Sequence, residues 1–303
     1  MEARKSQPLD RRDFLTLAAA AAAVPVLTEA AGPGVFVCIH ETSSDGFDFK
    51  TAMEGYAKAG IKAVEPTLVK VQEFAQKESV AAAKRLLDDM GLKAVSSSAG
   101  LLGLMEPGPL RAKSMEDLKA RLELAKAIGV DRMVTPSTGV GPYTEDDFKK
   151  GVDYMREIAE IAKPYGITLL LEFTRAGRFA GSLATALKLV RETNHPNYRP
   201  MIDIYHFWGG VSKFEDLDLL HDGELAHLHF EDVPAEPIRE LQGQTDRVFP
   251  GQGIAPLKRI VQMLKKKKYS GPASIEMFGP KFQKMEPFEF ARTARAAMEP
   301  IIA

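Results

Sequence analysis

From residue 35 onward, short apolar runs alternate with amphipathic stretches, and this alternation limits the possible fold more than any other feature of the sequence. Apolar runs bounded by turn residues are typical of buried strands, whereas apolar residues spaced three and four apart indicate helices. The runs predict eight strands, at residues 35–40, 62–65, 93–97, 131–135, 167–173, 200–204, 226–230 and 273–277. Because helices separate these strands, we expect them to pair in parallel within one sheet.

Eight strand-and-helix units match the size of a closed (β/α)8 TIM barrel, an α/β fold, and we predict that fold. Two helix starts are marked by residue pairs typical of capping boxes, Ser114 with Asp117 and Thr144 with Asp147. The alternative is a doubly wound open sheet, whose dinucleotide-binding members carry a G-x-G-x-x-G turn after the first strand. Here the first predicted strand runs instead into the sequence ETSS at 41–44.

The beginning of the chain has the composition of an export signal. Paired arginines, Arg11 and Arg12, precede an alanine-rich apolar stretch that ends near Leu27 and is followed by small residues. This order resembles a twin-arginine signal peptide, so we expect residues 1–30 to be that signal and residues 31–303 to be the catalytic barrel. The apolar stretch is shorter than the roughly 20 residues of a spanning helix, so no membrane span is expected in the mature form. The protein is then periplasmic or exported. If the segment is instead a disordered tail, the protein is cytoplasmic.

Composition narrows the classes of partner. A net charge of −1 leaves no basic stripe for nucleic acid, and 45% hydrophobic residues describe an ordinary globular protein. The single cysteine, Cys38, excludes an internal disulfide and lies in the apolar sequence VFVCIH, where it is expected to be buried. A small molecule is therefore the expected partner, and the oligomeric state is left open, a homo-oligomer included.

Four predicted strands carry a potential metal ligand near their carboxyl ends: ITLLLEF with Glu172, YRPMIDIYH with Asp203, LAHLHFED with His229 and GPASIEMF with Glu276. Parallel strands end at the same edge, which is where a barrel holds its catalytic groups, so these side chains are expected to converge. An unpaired buried carboxylate is costly, and either a salt bridge or a metal must neutralise it. One strand histidine alone is more often a hydrogen-bonded core residue, but the four together favour a metal site. Oxygen-rich ligation with one imidazole suits Mn²⁺, Mg²⁺, Co²⁺ or Zn²⁺.

Other residues are candidates for the pocket around that site. His206 follows Asp203 by three positions, so it enters the pocket if the chain turns there, as a substrate contact, a proton shuttle or a hydrogen-bond partner of the metal ligands. A long loop over residues 231–253 is expected to arch across the barrel mouth. Four aromatic residues are candidates for an apolar wall, with core packing as the alternative: Phe173, Tyr205, Phe207 and Trp208.

Several segments carry a family resemblance: LLLEF, DIYHFWG, HLHFEDVP, DRVFPGQG and SIEMF. They resemble segments of the metal-dependent sugar isomerases and epimerases of the xylose isomerase-like barrel family, and within it the inosose (2-keto-myo-inositol) isomerases. The resemblance spans about residues 35–300 and implies that four side chains bind one divalent metal ion: Glu172, Asp203, His229 and Glu276. It also implies that Glu172 and Glu276 exchange protons with the substrate. By the same resemblance, His206 contacts substrate oxygens and Arg247 points into the pocket.

One departure from the family pattern narrows the expected substrate. The ketose 3-epimerase branch has a glutamate six residues after the first metal-binding glutamate, where this chain has Arg178. The resemblance therefore argues against a 3-epimerase of free ketohexoses. The expected substrate is a carbohydrate or an inositol derivative.

The predicted site supports more than one reaction. A metal that chelates a carbonyl and an adjacent hydroxyl acidifies the neighbouring C–H, so one glutamate can remove a proton and the other can return one. Return to the neighbouring carbon is isomerisation, and return to the opposite face is epimerisation. Loss of a hydroxyl or glycosyl group is a lyase or dehydratase reaction. A non-catalytic exported sugar-binding protein is a further alternative, whereas a DNA-repair endonuclease on this barrel would need more histidines for its metals.

Overall fold

Eight parallel strands form the centre of residues 34–303, the part of the chain that this computed structural model describes. The strands are β1 (Phe36–His40), β2 (Ala63–Glu65), β3 (Lys93–Ala94), β4 (Arg132–Pro136), β5 (Thr168–Glu172), β6 (Tyr198–Asp203), β7 (His227–His229) and β8 (Pro272–Ile275). Each strand overlaps one predicted run. The expected signal peptide, residues 1–30, lies outside the described residues.

The sheet closes on itself into a barrel. Paired neighbours follow the order β3-β2-β1-β8-β7-β6-β5-β4, and every pairing is parallel. The two ends of this order meet just beyond β3. There the backbone N–H of Ser97 donates to the carbonyl oxygen of Arg132 at 3.1 Å, and that of Val134 donates to Ser97 at 2.9 Å. The predicted TIM barrel is confirmed, and the open doubly wound sheet is excluded.

Helices connect the strands along the outside of the barrel: α1 (Phe49–Lys58), α2 (Leu68–Lys77), α3 (Val80–Asp89), α4 (Pro109–Ala127), α5 (Glu145–Ala162), α6 (Leu183–Thr193), α7 (Ile204–Trp208), α8 (Leu257–Lys266), α9 (Pro280–Gln283) and α10 (Pro287–Ile302). Among the described residues, none of the helices combines the length and the apolar composition that a membrane span requires.

One predicted helix start is confirmed and one is wrong. Thr144 and Asp147 form the reciprocal capping box of α5, each side chain accepting the backbone N–H of the other. Ser114 caps nothing, because α4 already begins at Pro109, whose missing N–H suits the first turn of a helix. The Ser114 hydroxyl instead donates to the carbonyl oxygen of Leu102 at 2.7 Å.

The barrel interior changes from apolar to polar toward the carboxyl ends of the strands. Alternate residues of a strand face opposite sides of the sheet. On β5, Leu171 packs in the core between sheet and helices, whereas Leu170 faces inward. The inward apolar layer consists of Val134, Leu170, Met201 and Ala226. Glu172 lies two residues beyond Leu170 and shares its face, so the geometry of the strand directs this carboxylate into the barrel.

Candidate metal centre

The four predicted ligands meet inside the barrel at the carboxyl ends of β5 to β8: Glu172, Asp203, His229 and Glu276. Their potential ligand atoms, one from each side chain, all lie within 4.8 Å of one another. His229 Nδ1 is central, at 3.1 Å from Glu172 Oε1. The same nitrogen is 3.6 Å from Asp203 Oδ2 and 3.5 Å from Glu276 Oε2. Strand register explains part of this convergence, because Asp203 and His229 are direct neighbours across β6 and β7.

The four side chains differ in their access to solvent. Asp203 and His229 are 0% and 1% exposed, whereas Glu172 and Glu276 keep 7% and 8% of their surface accessible. Asp203 and His229 thus form the closed floor of the centre. The two glutamates border its opening, from β5 and from the end of β8.

Arg247 lies against the same carboxylates and is itself buried. Its Nη1 donates to Glu276 Oε2 at 2.5 Å, and its Nη2 donates to Asp203 Oδ2 at 2.9 Å. The guanidinium also stacks over two rings, 5.1 Å from the centre of Tyr205 and 4.7 Å from that of Phe278. The structure therefore brings Arg247 to the centre, where it neutralises part of the negative charge.

His206 enters the pocket because the chain turns into α7 directly after β6. Asp203 Oδ1 accepts the backbone N–H of His206 at 2.7 Å and caps this short helix. His206 Nδ1 accepts the backbone N–H of Arg175 at 3.3 Å, and the other ring nitrogen, Nε2, faces Gln244 and Arg247. That Nε2 lies 3.5 Å from both Arg247 and Gln244. Burial lowers the pKa of His206 to about 4, which keeps the ring neutral at pH 7.

The four potential ligands differ in protonation. Burial raises the pKa of Glu172 to about 7, and its hydrogen bond with His229 offsets this only in part. Burial also disfavours ionised Asp203, but Arg247 and the neighbouring histidines together outweigh burial and hold the pKa of Asp203 well below its usual range. The pKa of Glu276 is likewise lowered against burial, by His229 and Arg247. For His229, burial favours the neutral ring, yet the surrounding carboxylates, Glu276 foremost, raise its pKa well above the usual range.

Two buried residues that strand periodicity did not assign to the site, Glu65 and His40, lie behind the centre. Glu65 ends β2, and its Oε2 is 2.8 Å from His227 Nε2 and 3.3 Å from His229 Nε2. His40 ends β1, and its Nε2 is 3.5 Å from Glu276 Oε1. Both lie at the carboxyl ends of predicted strands, so the rule that found the ligands on β5 to β8 also applies to them.

Glu231 is a fifth buried carboxyl group at the centre. Its Oε1 accepts the backbone N–H of Tyr205 at 2.9 Å, and its Oε2 lies 3.9 Å from Arg247. Burial, reinforced by the negative charge of Asp203, raises the pKa of Glu231 well above its usual range. Its position two residues after His229 is the sequence signal for this placement, because such residues share a strand face.

The donor set fits a divalent cation. Five buried carboxyl groups surround this part of the lumen: Glu65, Glu172, Asp203, Glu231 and Glu276. Arg247 supplies the permanent positive charge that faces them, so the cluster has room for further positive charge. Carboxylate oxygens and one imidazole nitrogen are donors that Mn²⁺, Mg²⁺, Co²⁺ and Zn²⁺ all accept, and the group fits each of these ions.

The four aromatic candidates for the apolar wall lie in different environments. Phe173 and Phe207 are fully buried between sheet and helices, so core packing holds for these two residues. The Tyr205 hydroxyl donates to the carbonyl oxygen of Gly243 and so fastens the long loop that follows β7. Trp208 is only partly buried at the end of α7.

The long loop after β7 reaches back over the centre. Its two 3-10 turns span Arg239–Leu241 and Gln244–Asp246. Asp232 holds the far end of the loop through three backbone N–H groups, each at 3.0 Å: Gly251, Gly253 and Ala255. Gln244 Oε1 accepts a hydrogen bond from Arg247 at 3.0 Å, which places an exposed loop residue beside the buried cluster.

A closed parallel barrel that gathers three carboxylates and one imidazole at its strand ends defines a class of barrel proteins suited to a divalent metal. The chain belongs to the xylose isomerase-like TIM barrel family, whose sequence model matches residues 54–300. The family resemblance read from the sequence is thereby confirmed.

Individual relatives agree with this membership. An inosose isomerase of Halalkalibacterium halodurans is 30% identical over 182 residues, which are 59% of this chain and 64% of that protein. A 3-dehydroshikimate dehydratase of Pseudomonas putida is 24% identical over 175 residues, 56% of this chain and 27% of that protein. The crystal structure of an IolI protein with a bound zinc atom superposes with a TM-score of 0.81 at 24% identity, covering 88% of this chain and 97% of the other.

Proposed function

We propose that the protein is a divalent-metal-dependent isomerase or epimerase of a keto-inositol or a keto-sugar. The observation that carries this proposal is the convergence of four ligand-bearing side chains at one end of the barrel: Glu172, Asp203, His229 and Glu276. The inosose isomerase relative supports the substrate class, and the zinc of the related IolI barrel is consistent with a metal in this position.

In this proposal Asp203 and His229 are the fully buried ligands of the ion, and Glu172 and Glu276 are the other two ligands. A divalent ion held by these residues would polarise a substrate carbonyl and its adjacent hydroxyl and so acidify the neighbouring C–H. A substrate that enters the opening meets both glutamates, because these two ligands keep accessible surface.

Proton transfer then falls to Glu172 and Glu276. One carboxylate accepts the proton from the acidified carbon and becomes a carboxylic acid, while the electron pair stays on the substrate as an enediolate. A proton returned to the neighbouring carbon completes an isomerisation, and a proton returned from the opposite face completes an epimerisation. The two glutamates come from strands that β6 and β7 separate, so they can approach a substrate from two sides.

Two neighbouring residues bind substrate oxygens in this proposal. The His206 ring presents its Nε2 to the pocket, because Nδ1 is already engaged by the backbone N–H of Arg175. Arg247 supplies a permanent cation beside Glu276 and stabilises negative charge that develops on the substrate.

Deuterium exchange tests the proposal. The protein is loaded with Mn²⁺ or Zn²⁺ and incubated in D₂O with keto-inositols and ketoses, and NMR follows deuterium at carbons next to the carbonyl. Deuterium incorporation that Glu172→Gln and Glu276→Gln each abolish is the expected result. A wild-type protein that binds metal and sugar without any exchange would support the non-catalytic sugar-binding alternative.

A dehydratase or lyase is the second candidate, and the similarity to a 3-dehydroshikimate dehydratase favours it. The first proton abstraction is the same, but the electron pair then expels a hydroxyl or glycosyl group from the carbon beyond. Mass spectrometry of the products separates the candidates, because isomerisation conserves substrate mass and dehydration removes one water.

We also propose that residues 1–30 are a twin-arginine signal peptide and that the barrel of residues 31–303 is exported. The support is the Arg11–Arg12 pair ahead of an alanine-rich apolar stretch. In a bacterial host with a twin-arginine pathway, the mature protein should be recovered from the periplasm with its leader removed. Replacing both arginines by lysine should retain the uncleaved chain in the cytoplasm.

A further inference from the structure

A buried network lies behind the metal centre, on the side of His229 that points away from the other three ligands. His229 Nε2 is 3.3 Å from Glu65 Oε2. The same oxygen is 2.8 Å from His227 Nε2. All three side chains are at most 1% exposed, so this carboxylate faces two imidazoles in a closed interior.

The hydrogen positions of His229 follow from what each ring nitrogen faces. Nδ1 lies among the potential ligand oxygens and binds a cation only through its lone pair. A neutral imidazole carries one hydrogen, which must then reside on Nε2. Glu65 Oε2 contacts Nε2 at 3.3 Å without hydrogen-bond geometry in the metal-free structure, and a carboxylate that accepts such a hydrogen fixes both the tautomer and the orientation of a metal-binding histidine.

Glu65 reaches His229 across the lumen. It ends β2, and the paired order places β1 and β8 between β2 and β7. Since Ala63 faces inward on β2, Glu65 two residues later does so too. The contact therefore depends on the closed barrel and joins two strands that share no backbone pairing.

A second cation is an alternative occupant, because His40, Glu65 and His229 also offer ligand atoms within 4.8 Å of one another. The hydrogen-bond pattern argues against it. His40 Nδ1 accepts the backbone N–H of Thr42 at 3.1 Å, so its hydrogen resides on Nε2. That Nε2 lies 3.5 Å from Glu276 Oε1. A second ion would need lone pairs on two nitrogens that both carry hydrogen.

We propose that Glu65 is a positioning residue of the metal centre: it accepts the Nε2 hydrogen of His229 and holds Nδ1 toward the other three ligands. Glu65 touches neither the substrate nor the ion in this role. The inference rests on the proposed function and deepens it, because it names Glu65 as the group that orients His229, the one nitrogen ligand of the proposed centre.

Metal affinity measured by calorimetry tests the inference without reference to activity. Glu65→Gln should bind Mn²⁺ and Zn²⁺ about 10- to 100-fold more weakly than the wild type. Glu41→Gln is the matched control, because Glu41 is equally buried but accepts its hydrogen bond from the backbone N–H of Thr67. The control should keep the wild-type affinity.

A second measurement uses the wild-type protein and does not depend on the variant folding. Spectra of ¹⁵N-histidine-labelled, zinc-loaded protein should show His229 with a metal-bound Nδ1 and a protonated Nε2. A metal-bound Nε2, or Glu65→Gln binding as tightly as the wild type, overturns the role of Glu65 alone. A wild-type protein that binds no divalent ion overturns both this role and the proposed function.

Discussion

Replacing Arg247 by methionine should sharply destabilise the metal-free protein. The buried guanidinium donates to Asp203 and Glu276 and lies 3.9 Å from Glu231. Methionine fills much of the same volume but leaves these carboxylates without their permanent cation. Removing one partner of a buried ion pair costs about 3–5 kcal/mol. Each kcal/mol lowers the melting temperature of a domain of this size by about 2–4 °C, so we expect a fall of about 6–20 °C.

Differential scanning calorimetry of the metal-free protein at pH 7 measures this change. Arg292→Met is the control, because Arg292 is exposed on α10 and pairs with Glu289 within the same helix. It should melt within about 2 °C of the wild type, since surface substitutions change stability by about 0.5 kcal/mol or less. A divalent ion at 100 times its Kd should return about 2.7 kcal/mol to Arg247→Met. If Arg247→Met melts like the control, the guanidinium does not neutralise the cluster.

Three other residues give predictions of their own. Burial raises the pKa of Glu41 to about 7 from 4.5, so the folded protein keeps a proton that the unfolded chain releases, and stability should fall by up to about 3 kcal/mol between pH 4.5 and 7. Urea unfolding at each pH should show a fall in stability in the wild type that Glu41→Gln reduces by about this amount, and the part that stays comes from other carboxyl groups with raised pKa values, such as Glu172. Gln244→Ala should raise KM more than it lowers kcat in steady-state kinetics, because Gln244 contacts Arg247 and His206 at the pocket mouth. Cys38 should react with a thiol reagent in the unfolded chain and stay inert in the folded protein, where burial raises its thiol pKa.

Strand periodicity was sufficient to predict where the four candidate ligands lie. Glu172 ends a run whose alternate residues face the lumen, and His229 follows His227 on one strand face. Because parallel strands end at the same edge, such residues are expected to lie close together. This prediction needs no information about the structure of the loops. The fold and the positions of these four side chains were therefore predictable from local pattern alone.

Local pattern was insufficient where contacts between distant segments decide the structure. The run predicted at 93–97 is a strand over Lys93–Ala94 alone, because the chain beyond it pairs first with β2 and then with β4. The contact of Glu65 with His229 crosses the lumen. The spacing of residues within a strand does not predict which side chains meet across a closed barrel. Only the family resemblance predicted that Arg247 points into the pocket. Arg247 lies in a loop, where no periodic pattern indicates the direction of a side chain.

An anomalous difference map from crystals soaked in Mn²⁺ is the sharpest test of the metal centre. One strong peak per chain should lie within bonding distance of His229 Nδ1 and of oxygens from Glu172, Asp203 and Glu276. A peak at another place in the barrel, or ligation through His229 Nε2, would contradict the proposed centre. So would the absence of any peak at saturating Mn²⁺.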